Sequence, residues 1–330
     1  MENAYYILSK EKVNIERFHI CTWEFPRDSS YIEFGMEFSY ESFINENIVF
    51  YLAVPLIKKE YPVICLFENL SNLDNGRFIF NDVVSGIDNI GNDSRDGSIL
   101  RFEKRNNLTL LPCDISINNG LITLTIKRPN KYEGNMYVRV LVKIDNNTIA
   151  AKKSGIAQNT YIYDFKINET RNLPQDVYHL KTKECLEICK VKKLFCLHAV
   201  PDNFVFSFID SSKLKNIRKL ESNAFQKYLP EIKDISKDCY NIVFLKDDDN
   251  DGKESYSLFS ICTEETIGSK QIALAVGANI LCSLLFALSA LDLKGESNNP
   301  WYLQIPWEYW TAFAILILLC IYLFKNKLNK

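Results

Sequence analysis

Two uncharged apolar segments in the last sixty residues constrain the fold of this chain more than any other feature. The first, residues 272–291, carries no charge, and the second is nearer 16 residues long. Crossing the hydrocarbon core of a bilayer takes roughly 20 apolar residues, and tryptophan prefers the membrane interface. Three of the four tryptophans fall at residues 301–310. The sequence therefore predicts a transmembrane hairpin in residues 269–330, with spans at about 272–291 and 309–324.

Lysines at the two ends of this hairpin predict its orientation. Lys270 precedes the first span, and Lys325, Lys327 and Lys330 follow the second, whereas the connecting segment has only Lys294. Cytoplasmic flanks carry an excess of positive charge. The pattern predicts a multi-pass protein of the cell inner membrane, embedded in membrane lipid, with its N-terminal domain and C-terminal tail in the cytoplasm.

The bulk properties agree with a cytoplasmic location for the larger region. The N-terminal residues lack the apolar stretch of a signal peptide. Ten cysteines at scattered spacings give no disulfide framework and suit a reducing compartment. A net charge of −2 and a pI near 6.0 argue against a dedicated nucleic-acid binder.

The region before the hairpin shows mainly strand signals. In residues 1–151 short apolar runs recur at roughly ten-residue spacing, and Asn119-Gly120 supplies a tight hairpin turn. Residues 152–268 predict a membrane-proximal α+β module with a helix from about residue 211 to Leu229. The predicted fold is a mainly β cytoplasmic region, an antiparallel sandwich or barrel plus a smaller α+β module, followed by the C-terminal two-helix transmembrane hairpin.

Basic residues cluster in the first two turns of that predicted helix. Cations at a helix N-terminus oppose the macrodipole, and they can form charge-assisted hydrogen bonds with an anion. The cluster is the candidate site for a small anionic or nucleotide signal, and a solvated helix face is the alternative. Its members are Lys213, Lys215, Arg218 and Lys219, with a second group at Arg101, Lys104 and Arg105.

Two local motifs are weak candidates for metal binding. Asp247, Asp249 and Asp251 match the first half of an EF-hand loop, but Leu258 occupies the position of the bidentate glutamate. A solvated turn is the alternative. A cysteine and histidine set could instead hold zinc or simply pack in the core. That set is Cys185, Cys189, Cys196 and His198.

Signals for catalysis are poor. The chain has three histidines, and it contains none of the common motifs for hydrolases, metalloproteases, P-loop proteins or dinucleotide binding in their required contexts. No catalytic residue and no cofactor are predicted.

The first span carries a stripe of small and polar residues at spacings of three and four. Such a face lets helix backbones approach closely, and an asparagine in it seeks a partner across the interface. The stripe predicts either pairing within one hairpin or a homo-oligomer with these residues at its interface or pore. It consists of Ala275, Asn279, Ser283, Ala287 and Ala290.

A cytoplasmic β-rich region joined to an uncharged two-span hairpin resembles the two-transmembrane-helix membrane effectors of bacterial antiviral immunity. The resemblance lies in the order of parts, and no signature motif is matched. It implies a sensor for a nucleotide or oligonucleotide signal, whose oligomerised helices permeabilise the membrane as an ion channel. Two alternatives remain, a membrane-anchored scaffold that holds a partner protein and a membrane-tethered enzyme of unrecognised type.

Overall fold

The chain divides into two compact units, and each is described by itself. The first comprises Met1–Ser154 and Thr160–Glu264, and the second comprises Gly155–Asn159 and Glu265–Lys330. The computed structural model describes residues 4–24, 30–54, 57–80, 82–91, 96–118, 121–145, 149–155, 157–171, 173–230, 240–248, 255–265, 269–292, 307, 310, 311, 313–315 and 317.

The described residues are mainly β. The strands are β1 (Ala4–Ser9), β2 (Asn14–Trp23), β3 (Ser30–Phe38), β4 (Asn47–Ala53), β5 (Val63–Cys65), β6 (Val84–Asn89), β7 (Ser98–Phe102), β8 (Leu108–Leu110), β9 (Asp114–Asn118), β10 (Leu121–Lys127), β11 (Asn135–Ile144), β12 (Ala151–Ser154), β13 (Gln158–Ile167), β14 (Glu187–Ile188), β15 (Lys190–Val191), β16 (Lys193–Pro201), β17 (Phe204–Ile209), β18 (Leu214–Lys219), β19 (Tyr240–Asp248) and β20 (Tyr256–Glu265). The helices are α1 (Phe67–Leu70), α2 (Leu73–Phe80), α3 (Gln175–Lys183), α4 (Ser222–Tyr228) and α5 (Ser269–Asp292).

Two mixed sheets pack face to face in the first unit. The first runs in the order β17-β20-β13-β1-β4-β10-β9, and the second in the order β18-β19-β16-β2-β3-β11-β8-β7-β6. Apolar side chains of both sheets form one core between them. Aromatic contacts cross it, with ring centroids 5.9 Å apart for Tyr5 and Phe34 and 5.1 Å apart for Phe38 and Phe50.

Helices cover the outer faces of these sheets. On the second sheet, α4 places Phe225 against Trp23 with ring centroids 4.5 Å apart, and α1 and α2 join the same cluster. On the first sheet, Val177 of α3 packs with Tyr6. Every residue of β3 is buried because both of its faces are covered. The second sheet is therefore the central layer, and polar groups on its strands are enclosed by protein.

The prediction of an antiparallel arrangement is wrong. β13 pairs with β1 in parallel, and β16 pairs with β2 in parallel. Parallel neighbours need a long crossover connection, which short-range turn signals do not reveal. β16 and β17 are separated by only two residues, and yet they belong to different sheets. Strands from before and after residue 151 thus share both sheets.

The helix predicted from about residue 211 to Leu229 is also wrong over its first part. Leu214–Lys219 form β18, which pairs antiparallel with β19, and only Ser222–Tyr228 are helical. Pairing places Ile217 opposite Val243 in the second sheet. The hydrogen bonds of this sheet edge override the helical spacing of the apolar residues.

The predicted transmembrane hairpin is a further correction. None of the helices formed by the described residues has the length and hydropathy needed to cross a bilayer. The span at 309–324 is described only at scattered positions. The predicted hairpin and the multi-pass inner-membrane localisation are therefore wrong.

Candidate functional site

A cleft opens on the outer face of the second sheet, and we call it the arginine cleft. Among the described residues, four arginines, three phenylalanines and no carboxylate line it. They reach it from five strands of the sheet, from α2 and from the segment after β7. The lining residues are Arg17, His19, Ile79, Phe80, Arg105, Arg139, Phe195, Leu197, Asn216, Arg218, Ile242 and Phe244.

A wider groove adjoins this cleft, and the two share Arg218 and Ile242. The groove has a volume of about 790 Å³, within the range of about 300–1,000 Å³ that is usual for ligand sites. Its charged lining residues are Asp74, Arg77, Arg218, Lys219, Glu221 and Lys227. Positive groups thus outnumber negative ones among the described residues of both concavities.

One carboxylate lies within ion-pair distance of two arginines at the mouth of the cleft. Glu37 Oε2 lies 3.4 Å from Arg17 Nε and 3.5 Å from Arg105 Nη2. Burial lowers the pKa of Arg105, and the positive charge of Arg17 lowers it further. An anionic ligand bound beside these two arginines would raise the pKa of Arg105 again.

The floor of the cleft is a buried ion pair between Arg139 and Glu33. Arg139 Nε and Nη2 both lie 2.5 Å from Glu33 Oε2. Glu33 also accepts hydrogen bonds from Trp23 Nε1 at 2.6 Å and from the Tyr228 hydroxyl at 3.0 Å. The exposed fractions of the Arg139 and Glu33 side chains are 1% and 0%. The pair is fully enclosed, and its remaining hydrogen bonds fix the orientation of the guanidinium.

Tyr137 connects this floor to His19. Arg139 Nη1 donates to the Tyr137 hydroxyl at 2.9 Å, and that hydroxyl lies 2.8 Å from His19 Nδ1. Burial lowers the pKa of His19 well below its usual value, and the nearby Arg139, Arg17 and Arg105 lower it further. His19 is therefore neutral at pH 7. Both contacts of the Tyr137 hydroxyl are hydrogen bonds when it accepts from Arg139 and donates to His19 Nδ1. In that case the proton of the neutral imidazole is on Nε2.

Gly35 on β3 provides the space for the Tyr137 hydroxyl. A Cβ atom built at Gly35 would overlap that hydroxyl, and it would lie 3.2 Å from His19 Cβ. The absence of a side chain at this position is therefore what admits the hydrogen bonds between His19, Tyr137 and Arg139.

Replacing Gly35 with alanine should lower the free energy of unfolding by about 1–3 kcal/mol, because overpacking displaces the Tyr137 hydroxyl from its partners. Gly86→Ala is the matched control, since a Cβ atom there meets nothing within 4 Å. Urea unfolding of the two variants measures the difference. Equal midpoints for both would contradict the role assigned to Gly35.

Aromatic rings provide the apolar wall of the cleft. Phe195 and Phe244 stack with centroids 5.8 Å apart and ring planes 15° apart, and both are half-buried. The guanidinium carbon of Arg17 lies 5.9 Å from the centroid of Phe195. A planar ring group on a ligand would find both aromatic surface and positive charge here.

The four basic residues predicted as a ligand site fall on β18 or just before it, and the structure separates them. Lys213 Nζ is held by Asp247 Oδ2 at 3.2 Å and donates to the Ser257 carbonyl at 2.6 Å. Lys215 is exposed and does not line either concavity. Arg218 and Lys219 do line them. Of the second predicted group, Arg105 lines the cleft, Lys104 is exposed, and Arg101 pairs with Glu133.

The predicted metal sites gain no support. Asp247 lies on β19 beside Lys213, whereas Asp249 and Asp251 lie outside the described residues. Cys185 is exposed, and Cys196 is buried in the core between the sheets. No group of three or more potential metal ligands occurs in the part of the chain that the structure describes.

The small-residue stripe lies on α5 in the second unit. Ala275, Asn279, Ser283 and Ala287 are exposed, and Ala290 belongs to the helix but its side chain lies outside the described ones. The Ser283 hydroxyl donates to the Asn279 carbonyl at 2.8 Å within the same helix. Assembly through this face stays a prediction.

A second buried polar cluster lies away from the cleft lining. Tyr163 donates a hydrogen bond to Glu24 Oε2, and its ring lies 3.9 Å from that of His198, which is hydrogen-bonded to Thr22. Glu24 Oε1 and His198 Nε2 have no hydrogen-bond partner among the described residues. Burial raises the pKa of Glu24 to about 7 and lowers that of His198 to about 3. Both side chains are therefore largely neutral in mildly acidic solution.

Replacing Glu24 with glutamine should change stability in a pH-dependent way. The pKa of Glu24 is raised from 4.5 to about 7 on folding, so its contribution to stability is complete below pH 4.5 and is lost as the pH rises through 7. Glutamine does not titrate. The free energy of unfolding of the wild type, minus that of the variant, should fall by about 3 kcal/mol between pH 4.5 and 7.5. Urea titrations at the two pH values measure this, and a constant difference would contradict it.

Several cleft residues could not be found from the sequence. Arg17, Arg139, Phe195 and Phe244 are single residues in separate strands, and only the fold brings them together. The chain matches no protein-family model and no curated protein. The resemblance in architecture therefore stays a prediction, and the geometry of the cleft provides the grounds for a function.

Proposed function

We propose that the first unit is a ligand-binding domain that takes a phosphate-bearing ligand of the nucleotide class in the arginine cleft and its adjoining groove. The observation that carries the proposal is the lining of the cleft, to which the described part of the chain contributes four arginines and three phenylalanines but no carboxylate. Membrane permeabilisation is not part of the proposal, because it requires a transmembrane hairpin and none of the helices formed by the described residues can cross a bilayer.

Charge is the first support for a phosphate group. Four guanidinium groups line the cleft, of which Arg17 and Arg105 share the carboxylate of Glu37 and Arg139 pairs with Glu33. Guanidinium groups bind phosphate through paired, charge-assisted hydrogen bonds. The side chain of Arg17 is 31% exposed and that of Arg105 is 17% exposed, so both can reach a ligand at the mouth of the cleft.

The aromatic wall is the support for a planar group on the same ligand. Bases stack on aromatic side chains, and this contributes about 1–3 kcal/mol per base. The stacked pair of Phe195 and Phe244 stands in the same cleft as Arg17 and Arg218. A nucleotide combines a planar base with phosphate, whereas inorganic phosphate would use only the arginines.

Isothermal titration calorimetry with adenosine, inorganic phosphate, ATP and cyclic di-AMP tests the proposal. We expect at least one of the two nucleotides to bind more tightly than phosphate, and adenosine to bind weakly. Arg218→Ala should weaken nucleotide binding about 10–100-fold, since a hydrogen bond to a charged group contributes about 1.5–3 kcal/mol. Arg218 lies on an edge strand and outside the buried floor, so its loss should leave the fold intact.

Arg171→Ala is the matched control for this experiment. Its side chain is 83% exposed, it pairs with Glu169, and it lines neither concavity. This variant should bind nucleotides as the wild type does. Equal losses in both variants, or no binding of either nucleotide at millimolar concentration, would contradict the proposal. Binding of an acidic peptide instead would favour the scaffold alternative.

A further inference from the structure

Two half-buried cysteines meet where two strands share one edge of β11. β8 runs parallel to the first part of β11, with Leu110 opposite Tyr137, and β5 runs antiparallel to its middle, with Cys65 opposite Val140. Cys65 ends β5, and Cys113 directly precedes β9, which packs against β5. The two thiols hydrogen-bond to each other.

The surroundings distinguish the two sulfur atoms. The pKa of Cys65 is lowered to about 7, chiefly by the hydrogen bond from the Cys113 thiol and against the effect of burial, with further help from the backbone N–H groups of Phe67 and Cys113. The pKa of Cys113 is raised, chiefly by the same hydrogen bond. By contrast, burial raises the pKa of Cys21 and Cys189 to about 12. Cys65 is thus the better thiolate nucleophile near neutral pH.

We propose that Cys65 and Cys113 form a redox-active pair that closes to a disulfide on reaction with a disulfide oxidant such as oxidised glutathione. The Cys65 thiolate attacks one sulfur of the oxidant, whose S–S bond breaks and releases a glutathione thiolate. The Cys113 sulfur then attacks the Cys65 sulfur of the mixed disulfide and releases the second glutathione thiolate. The two thiol protons end on the two glutathione molecules, so two electrons pass from the protein to the oxidant.

The bond would restrain the segment that forms one wall of the arginine cleft. The chain between Cys65 and Cys113 contains α2 and carries Phe80 and Arg105, which line the cleft. Closing a loop of this length restricts the unfolded chain more than the folded one. Oxidation would therefore stabilise the fold and limit the movement of this wall.

The test is oxidation of the full-length, reduced protein with oxidised glutathione at pH 7.5, followed by alkylation, digestion and mass spectrometry. We expect a cross-linked peptide joining Cys65 to Cys113 and a rise in Tm of about 5–10 °C. Cys113→Ser should stop at a glutathione adduct on Cys65, and Cys65→Ser should give no cross-link. Cys185→Ser is the control, since Cys185 is exposed and should leave the cross-link unchanged.

The rate of cross-linking should also depend on pH, with half of its maximal value near pH 7, because the thiolate of Cys65 starts the reaction. Persistence of both thiols in alkylatable form while Cys185 becomes modified would overturn the proposal. Cross-links from Cys65 to other cysteines would overturn it too. Neither readout depends on a bound ligand, so failure here is distinguishable from failure of nucleotide binding.

Discussion

Replacing Arg139 with alanine should lower the free energy of unfolding by about 3–5 kcal/mol, because it leaves the Glu33 carboxylate buried without its cation. The exposed fraction of Glu33 is 0%, so water does not replace the lost guanidinium. The substitution also removes the hydrogen bonds from Arg139 to the Tyr137 hydroxyl and to Cys21 Sγ. The loss therefore extends beyond one ion pair to the whole floor of the cleft.

Urea unfolding followed by circular dichroism measures this loss. The double variant Glu33→Gln with Arg139→Met removes both charges and should recover part of the stability. Arg171→Ala, which breaks an exposed ion pair, should leave the unfolding midpoint nearly unchanged. If Arg139→Ala were as stable as Arg171→Ala, the buried pair would have no such role.

Replacing Trp23 with alanine is expected to have an effect of similar size, about 3–5 kcal/mol. The indole is 0% exposed and packs against Phe225 of α4 with centroids 4.5 Å apart. Its Nε1 donates to Glu33 Oε1 at 2.6 Å. The substitution therefore creates a cavity between the central sheet and α4 and removes a donor from a buried carboxylate.

Trp23→Phe separates these two contributions. It keeps an aromatic ring against Phe225 and loses the indole donor and part of the volume. We expect it to cost about half as much as the alanine variant. Circular dichroism is the suitable probe, because both variants remove a fluorescent side chain. Equal losses for the two variants would mean that the donor to Glu33 outweighs packing at this position.

Elements whose signals are local could be predicted from the sequence. The strands at residues 114–118 and 121–127 pair as predicted from the Asn-Gly turn between them, although the turn itself lies outside the described residues. β11 likewise falls in the region where short apolar runs predicted strands. In both cases the side-chain period and the turn chemistry lie within about fifteen residues, so the local sequence contains the information.

Elements that depend on distant partners could not be predicted. Leu214 and Ile217 fit a helical spacing, but they form a strand because β19 offers an edge with which to pair. The parallel pairing of β2 with β16 is not indicated by any local sequence pattern, because the paired residues are about 175 positions apart in the chain. The uncharged length of residues 272–291 indicated a membrane span, and the described part of α5 does not provide one.

The cleft was predictable only in part for the same reason. Arg218 and Lys219 belonged to a visible basic cluster, and Arg105 belonged to a second one. Arg17 and Arg139 are isolated charges within strands, which sequence patterns do not distinguish from solvated residues. Their convergence depends on which strands are neighbours in the second sheet.

The parallel pairing of β1 with β13 and of β2 with β16 has a consequence during synthesis on the ribosome. At about 5–20 residues per second, β2 emerges roughly 9–35 s before its partner β16. For that time the inner edges of both sheets lack half of their hydrogen-bond partners, and unpaired strand edges promote aggregation. The nascent N-terminal half should therefore depend on chaperone binding until the C-terminal strands arrive.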